Sequence, residues 1–152
     1  MHENKAPRRV RIWLIEDHMP DVFLIEKSLQ QYSVECDLTR YADGEQVLMA
    51  LQLASLEPES LPDLVVLDLN LPKVGGMDVL RLTRQDQFLK KVRVIVLTSS
   101  EAPHDRAQAT ELGADRFITK PAELHAYLAA VGETVRELLG MNNAGEAGAS
   151  AT

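Results

Sequence analysis

The sequence of 152 residues has little of what several classes of protein require. Its single cysteine, Cys36, cannot form a disulfide within the chain, which agrees with a reducing compartment. No apolar run approaches the roughly 18 residues that a membrane-spanning helix needs, and no secretory signal precedes Glu16. These absences predict a cytoplasmic protein without a membrane partner.

Basic residues are also in deficit. The sequence has 16 Lys and Arg residues but 23 Asp and Glu residues, so the formal net charge at pH 7 is −7. Binding to DNA or RNA requires a basic surface, and we therefore expect no nucleic-acid partner. The length allows one domain with one core.

Short apolar runs alternate with amphipathic segments along most of the chain. The pattern predicts strands over 10–15, 34–42, 61–69, 92–100 and 114–120, and helices over 21–32, 44–56, 76–85, 103–112 and 121–139. Gly113 is a predicted helix cap. We expect a flexible arm over 1–9, one domain over 10–140 and a disordered tail over 141–152, without an output domain after the last helix.

The strands indicate how the sheet is built. Runs such as "LVVL" and "VRVIVL" have no polar alternation, which predicts burial on both faces. Buried strands separated by helices form a parallel sheet with right-handed crossovers. The fold class is therefore α/β, a doubly wound sheet of five strands between two layers of helices.

Polar and charged residues close these strands, namely Glu16, Asp17, Asp68, Thr98, Ser99 and Lys120. Because ligands of open parallel sheets bind at the carboxyl ends of the strands, we expect these side chains to share one edge. The repulsion energy among three carboxylates gathered there is on the order of several kcal/mol unless a cation lies among them. The set suits Mg²⁺, while the ammonium and hydroxyl groups suit phosphate oxygens.

At these positions the sequence resembles the receiver domains of two-component response regulators. The resemblance covers residues 10 to about 140 and rests on "IED" (15–17), "LDLNLP" (67–72), "VLTSS" (96–100) and "FITKP" (117–121). It implies a flavodoxin-like fold, shared with the chemotaxis regulator, with strand order 2-1-3-4-5. It also implies that a histidine kinase is the partner and that the domain catalyses only its own phosphorylation and dephosphorylation.

The resemblance assigns roles to individual residues. Asp68 is the implied phosphoacceptor, and Glu16, Asp17, Asp68 and the backbone carbonyl of Asn70 are the implied ligands of Mg²⁺, with Mn²⁺ as an alternative. Thr98 and Lys120 are implied to contact the phosphoryl oxygens. The peptide bond before Pro121 is expected to be cis. More narrowly, "LDLNLPK" and "EDH-PD-" look like single-domain regulators paired with phytochrome-type kinases.

Two positions depart from the family pattern. Gly75 replaces an acid in the loop after the phosphoacceptor, which predicts altered loop dynamics rather than lost chemistry. Phe117 stands where many members carry tyrosine. Thr98 and Phe117 are thus the predicted switch residues, but a switch that uses a tyrosine hydroxyl is in doubt.

Three rival functions remain open. An aspartate-nucleophile phosphatase needs a second acid two residues after the nucleophile, and this sequence has Asn70 there. A flavodoxin-like FMN carrier needs a phosphate-binding loop after strand 1, where this sequence has two acids. A phosphate-independent adaptor would keep the fold alone, and the intact acids and lysine argue against it.

The signal is expected to leave through a surface made by helix 4, strand 5 and helix 5, by way of a homodimer. The last helix has a predicted core stripe at Leu124, Leu128, Val131, Val135 and Leu138. Its apolar surface is expected to continue over Ala126, Tyr127, Ala130 and Leu139 and to form the contact.

Overall fold

A computed structural model describes residues 8–141, and the predicted terminal segments lie outside the described residues except for residues 8, 9 and 141. The strands are β1 (Val10–Ile15), β2 (Cys36–Tyr41), β3 (Leu64–Leu67), β4 (Arg93–Thr98) and β5 (Arg116–Thr119). They form one parallel sheet in the order β2-β1-β3-β4-β5. This confirms the predicted fold class and strand order.

Four α-helices connect the strands: α1 (Met19–Gln31), α2 (Gly44–Ser55), α3 (Gly76–Gln85) and α4 (Pro103–Glu111). A fifth helix, α5 (Leu124–Leu138), follows β5. Two 3₁₀ turns, Pro58–Ser60 and Leu89–Lys91, precede β3 and β4. Among the described helices, none has both the length and the apolar character that crossing a bilayer requires.

The sheet is covered by helices on both faces. Alternate residues of β1 point to opposite sides, so Ile12 and Leu14 pack in one core layer with α1 and α5. Trp13 and Ile15 pack in the other layer with α2 and α3. This double burial explains why the central strands are apolar throughout.

Two glycines allow close turns at the ends of helices. A Cβ atom on Gly76 would lie 2.3 Å from the Asp68 carbonyl oxygen, so glycine lets α3 begin directly against the end of β3. Gly113 follows α4 with a φ of +100°, which confirms the predicted cap. Gly75 lies in more open surroundings, because a Cβ atom on it would be 4.0 Å from the Leu69 carbonyl oxygen.

The predicted orientation of α5 is partly wrong. Four of the five predicted core residues are buried: Leu128, Val131, Val135 and Leu138. Leu124, however, is 48% exposed, whereas Tyr127 is only 4% exposed and belongs to the core. Leu139 packs against the same core layer. The apolar stripe is wider than the seam, and packing against α1 decides which part of it is buried.

The surface predicted for a homodimer thereby loses two of its four named residues, Tyr127 and Leu139. The homodimer itself stays a prediction.

The peptide bond between Lys120 and Pro121 is trans, because no peptide bond in residues 8–141 is cis. The prediction of a cis bond is therefore wrong. A trans bond is the more stable form before proline by about 0.5–1 kcal/mol, so no compensating contact is needed.

Candidate functional site

The carboxyl ends of the strands meet at one edge of the sheet, as predicted. Backbone hydrogen bonds extend the ladder by one residue beyond the strands. The Asp68 N–H donates to the Ile15 carbonyl at 3.1 Å, and the Lys120 N–H donates to the Thr98 carbonyl at 2.7 Å. The main chain of both charged residues is therefore fixed by the sheet rather than by a loop.

Three carboxylates form a compact cluster at this edge. Ligand oxygens of Glu16, Asp17 and Asp68 all lie within 4.8 Å of one another. Glu16 is 1% exposed and Asp68 is 6% exposed, while Asp17 lies at the solvent side. Clustered carboxylate oxygens with an open side are the ligand set that hard divalent cations prefer, so these residues fit Mg²⁺ or Mn²⁺.

The Lys120 ammonium group lies among carboxylates. Its Nζ donates to Glu16 Oε1 at 3.0 Å, to Asp21 Oδ2 at 3.0 Å and to Asp68 Oδ2 at 3.4 Å. Burial lowers the pKa of Lys120, but the bond to Asp21 and the charges of the other two acids outweigh it and raise the pKa. The predicted phosphate-binding cation is thus already paired with three acids.

Glu16 shows the cost of this crowding. Burial, followed by the negative charge of Asp68, raises the pKa of Glu16 to about 7, and Lys120 offsets only part of the effect. The environment of the cluster therefore disfavours the ionised form of Glu16. A cation bound there would offset this effect.

Two further predicted residues also lie at the site. Thr98 is completely buried, and its hydroxyl oxygen accepts a hydrogen bond from the Ser100 N–H at 3.2 Å. The backbone N–H of Asn70 donates to Asp68 Oδ1 at 3.2 Å. Asn70 is therefore bonded directly to Asp68, and Thr98 ends β4, the strand next to β3, with its carbonyl bonded to the Lys120 N–H.

Phe117, the second predicted switch residue, lies away from the carboxylates in β5. The Arg106 guanidinium of α4 sits over its ring, 4.7 Å from the ring centre. This cation–π contact holds the side chain against α4. A role of Phe117 in switching stays a prediction.

Asp21 is a site residue that the sequence analysis missed. It lies in the first turn of α1, where an acid usually serves only to stabilise the positive end of the helix. Its Oδ1 accepts a bond from the Tyr127 hydroxyl at 2.7 Å, and its Oδ2 lies 2.8 Å from His18 Nδ1. The sequence does show an acid four residues after Asp17. No pattern of neighbouring residues, however, indicates that Tyr127 on α5 contacts it.

The fold and the carboxylate edge define the class of protein, and comparison with known proteins agrees. The family model of the response regulator receiver domain matches residues 12–132. The chain belongs to this family and is a signal-transduction domain of the two-component type.

Its relatives include phytochrome response regulators. The chain is 34% identical over 125 residues to the response regulator Rcp1 of Synechocystis, covering 82% of this chain and 84% of Rcp1. The phosphorylated cyanobacterial phytochrome response regulator RcpA superposes with a TM-score of 0.80 at 31% identity, covering 90% of this chain and 98% of RcpA. The Mn²⁺-bound form of Rcp1 gives a TM-score of 0.77 at 30% identity, covering 88% and 97%.

Proposed function

We propose that this receiver domain accepts a phosphoryl group on Asp68 from a histidine kinase, in a Mg²⁺-dependent reaction, and signals by a change of conformation. The observation that carries the proposal is the position of Asp68. Its carboxylate is nearly buried, belongs to the three-carboxylate cluster and lies 3.4 Å from the Lys120 ammonium. Such an arrangement supplies a nucleophile together with charges that balance an incoming phosphoryl group.

In the proposed transfer, a carboxylate oxygen of Asp68 forms a bond to phosphorus while the bond from phosphorus to the kinase histidine nitrogen breaks. The electron pair leaves with the imidazole, and an acyl phosphate remains on Asp68. A divalent cation bound by the cluster would supply positive charge next to the phosphoryl oxygens. Lys120 would donate hydrogen bonds to the same oxygens.

The hydroxyl proton of Thr98 is available for a hydrogen bond to the phosphoryl group. Its hydroxyl oxygen already accepts a bond from the Ser100 N–H, so its own O–H can donate to a phosphoryl oxygen. Thr98 would then sense the phosphorylated state through a contact absent before transfer.

Two rivals are less well supported. Asn70 occupies the position where an aspartate-nucleophile phosphatase has its general acid, so no group there can protonate an ester leaving group. A phosphate-independent adaptor would have no need to bury Asp68 and Glu16 beside Lys120, because burial of charge destabilises the fold.

The test is transfer of radiolabelled phosphate from a phosphohistidine donor to the wild type, Asp68→Asn and Asp63→Asn. Asp63 precedes the same strand at its opposite end and is the matched control. We expect Asp68→Asn to abolish labelling, because the amide keeps the shape but is not a nucleophile. Asp63→Asn should label at the wild-type rate, and EDTA should stop labelling of both active proteins.

Labelling of Asp68→Asn at the wild-type rate would contradict the assignment of the phosphoacceptor. An unlabelled wild type with Mg²⁺ present would favour the adaptor.

The likeness to RcpA, a cyanobacterial phytochrome response regulator, supports a phytochrome-type kinase as the partner. Transfer from such a kinase should be faster than transfer from an unrelated histidine kinase.

Cytoplasmic residence and a homodimer through α4, β5 and α5 also remain part of the proposal. Sedimentation of the wild type with and without beryllofluoride tests the homodimer.

A further inference from the structure

Asp21 has contacts that a helix-capping acid does not need. Its Oδ1 accepts from the Tyr127 hydroxyl, and its Oδ2 contacts both His18 Nδ1 and Lys120 Nζ. An ionised carboxylate only accepts hydrogen bonds, so all three neighbours donate to it. Burial raises the pKa of Asp21, but these donors outweigh it and lower the pKa, which keeps the group charged.

Tyr127 fixes the orientation of this carboxylate. The tyrosine ring is packed in the core layer between the sheet, α1 and α5, and its hydroxyl is 2.7 Å from Asp21 Oδ1. A buried donor on a second helix leaves Asp21 little freedom to turn. The second oxygen is thereby directed to Lys120.

The three protons of the Lys120 ammonium are all in use. They serve Glu16 and Asp21 at 3.0 Å and Asp68 at 3.4 Å. A phosphoryl group on Asp68 would need at least one of these protons, so one present acceptor must give way. Glu16 and Asp68 belong to the carboxylate cluster, whereas Asp21 lies outside it.

We propose that Asp21, oriented by Tyr127, is a positioning residue that holds Lys120 in the resting protein and competes with the phosphoryl group for its ammonium. The inference rests on the proposed function and extends it to regulation of the same site. It implies that Asp21 limits how tightly the site holds a phosphoryl group. It also implies that Tyr127 links occupancy of the site to α5.

The experiment is a beryllofluoride titration at saturating Mg²⁺, followed by amide resonances, of wild type, Asp21→Asn and Asp78→Asn. Asp78 is the matched control, an exposed acid in the first turn of α3. We expect Asp21→Asn to bind beryllofluoride about 5–10-fold more tightly, because a competing acceptor and a nearby negative charge are both removed. Asp78→Asn should bind like the wild type.

The Tyr127 ring resonances give a second measurement. They should shift when beryllofluoride binds to the wild type, since Asp21 then loses a donor, and this shift should be much smaller in Asp21→Asn. A purely structural role of Asp21 would lower the melting temperature and leave both readouts unchanged. Should Asp21→Asn fail to fold, Asp21→Ser makes the same test.

Equal or weaker binding by the folded Asp21 variants would overturn this inference alone. A wild type that binds no beryllofluoride would overturn the proposed function and the inference with it.

Discussion

The acidic residues at the two ends of the sheet differ in how completely their charges are paired. At the amino ends of the strands, acids are matched one by one with arginine side chains and backbone donors. At the carboxyl ends, Glu16, Asp21 and Asp68 share a single ammonium group, that of Lys120, among the described residues, and Asp17 lies close to Glu16 and Asp68. One end is therefore electrostatically balanced, and the other retains excess negative charge.

The amino end uses the same device twice. Asp63, just before β3, accepts from the Arg11 N–H at 2.8 Å and pairs with both terminal nitrogens of Arg8. Asp115, just before β5, accepts from the Val94 N–H at 2.8 Å and from Arg84 at 3.1 Å. Each acid thus joins the start of one strand to the neighbouring strand. This structural role needs no ligand from outside the chain.

The contrast shows where the fold gives up stability. Buried charges without full pairing are unfavourable, and a protein keeps them where another group must bind. The carboxyl end meets this description and the amino end does not. Function is thus located by an incomplete charge balance, not by the presence of acids.

The largest effect is expected from removing the ammonium at the carboxyl end. Lys120→Met should lower the free energy of unfolding by about 3 kcal/mol without Mg²⁺, because three carboxylates lose their common partner. Saturating Mg²⁺ should recover part of this loss by binding the folded state. Urea denaturation with and without Mg²⁺ measures both effects.

Lys73→Met is the control for this prediction. Lys73 is exposed and lies 3.8 Å from Asp43 and 3.5 Å from Glu45, so its loss should cost less than about 0.5 kcal/mol. An equal response of the two variants would show that the carboxylates at the site do not depend on Lys120.

A smaller effect, independent of Mg²⁺, is expected at the opposite end. Arg84 donates to the carbonyl groups of Val92 and Gly113 as well as to Asp115. Arg84→Met should therefore lower the free energy of unfolding by about 2 kcal/mol, since these acceptors lose their donor. If added Mg²⁺ restored the stability of this variant as it does for Lys120→Met, the proposed division between the two ends would be wrong.

The smallest effect concerns Asp63 and depends on pH. Burial raises the pKa of Asp63, but the bonds from Arg8 and Arg11 outweigh it and lower the pKa. A lowered pKa stabilises the folded state above the unfolded pKa of about 4, and this contribution is lost as the pH falls through the folded pKa.

Asp63→Asn should accordingly cost about 1 kcal/mol at pH 7, and the difference from wild type should shrink below about pH 4. Urea denaturation at several pH values provides the measurement. A difference that stays constant with pH would mean that packing, not charge, explains the loss.

The sequence by itself determined the alternation of strands and helices, the parallel sheet and the residues that close its strands. These features are local, because run length, periodicity and glycine positions are properties of neighbouring residues. The start of α3 at Gly76 and the edge shared by Glu16, Asp68 and Lys120 follow from them. The family motifs added the strand order.

Only the tertiary structure decided which surface of α5 is buried and which acids share Lys120. Asp21 meets Lys120 from 99 residues away and Tyr127 from 106 residues away, and no periodicity encodes such a meeting. Leu124 and Tyr127 both fit the apolar stripe of α5, yet α1 covers only one of them. The physical reason is that a helix can turn about its axis at little local cost, so packing against its neighbour sets the orientation.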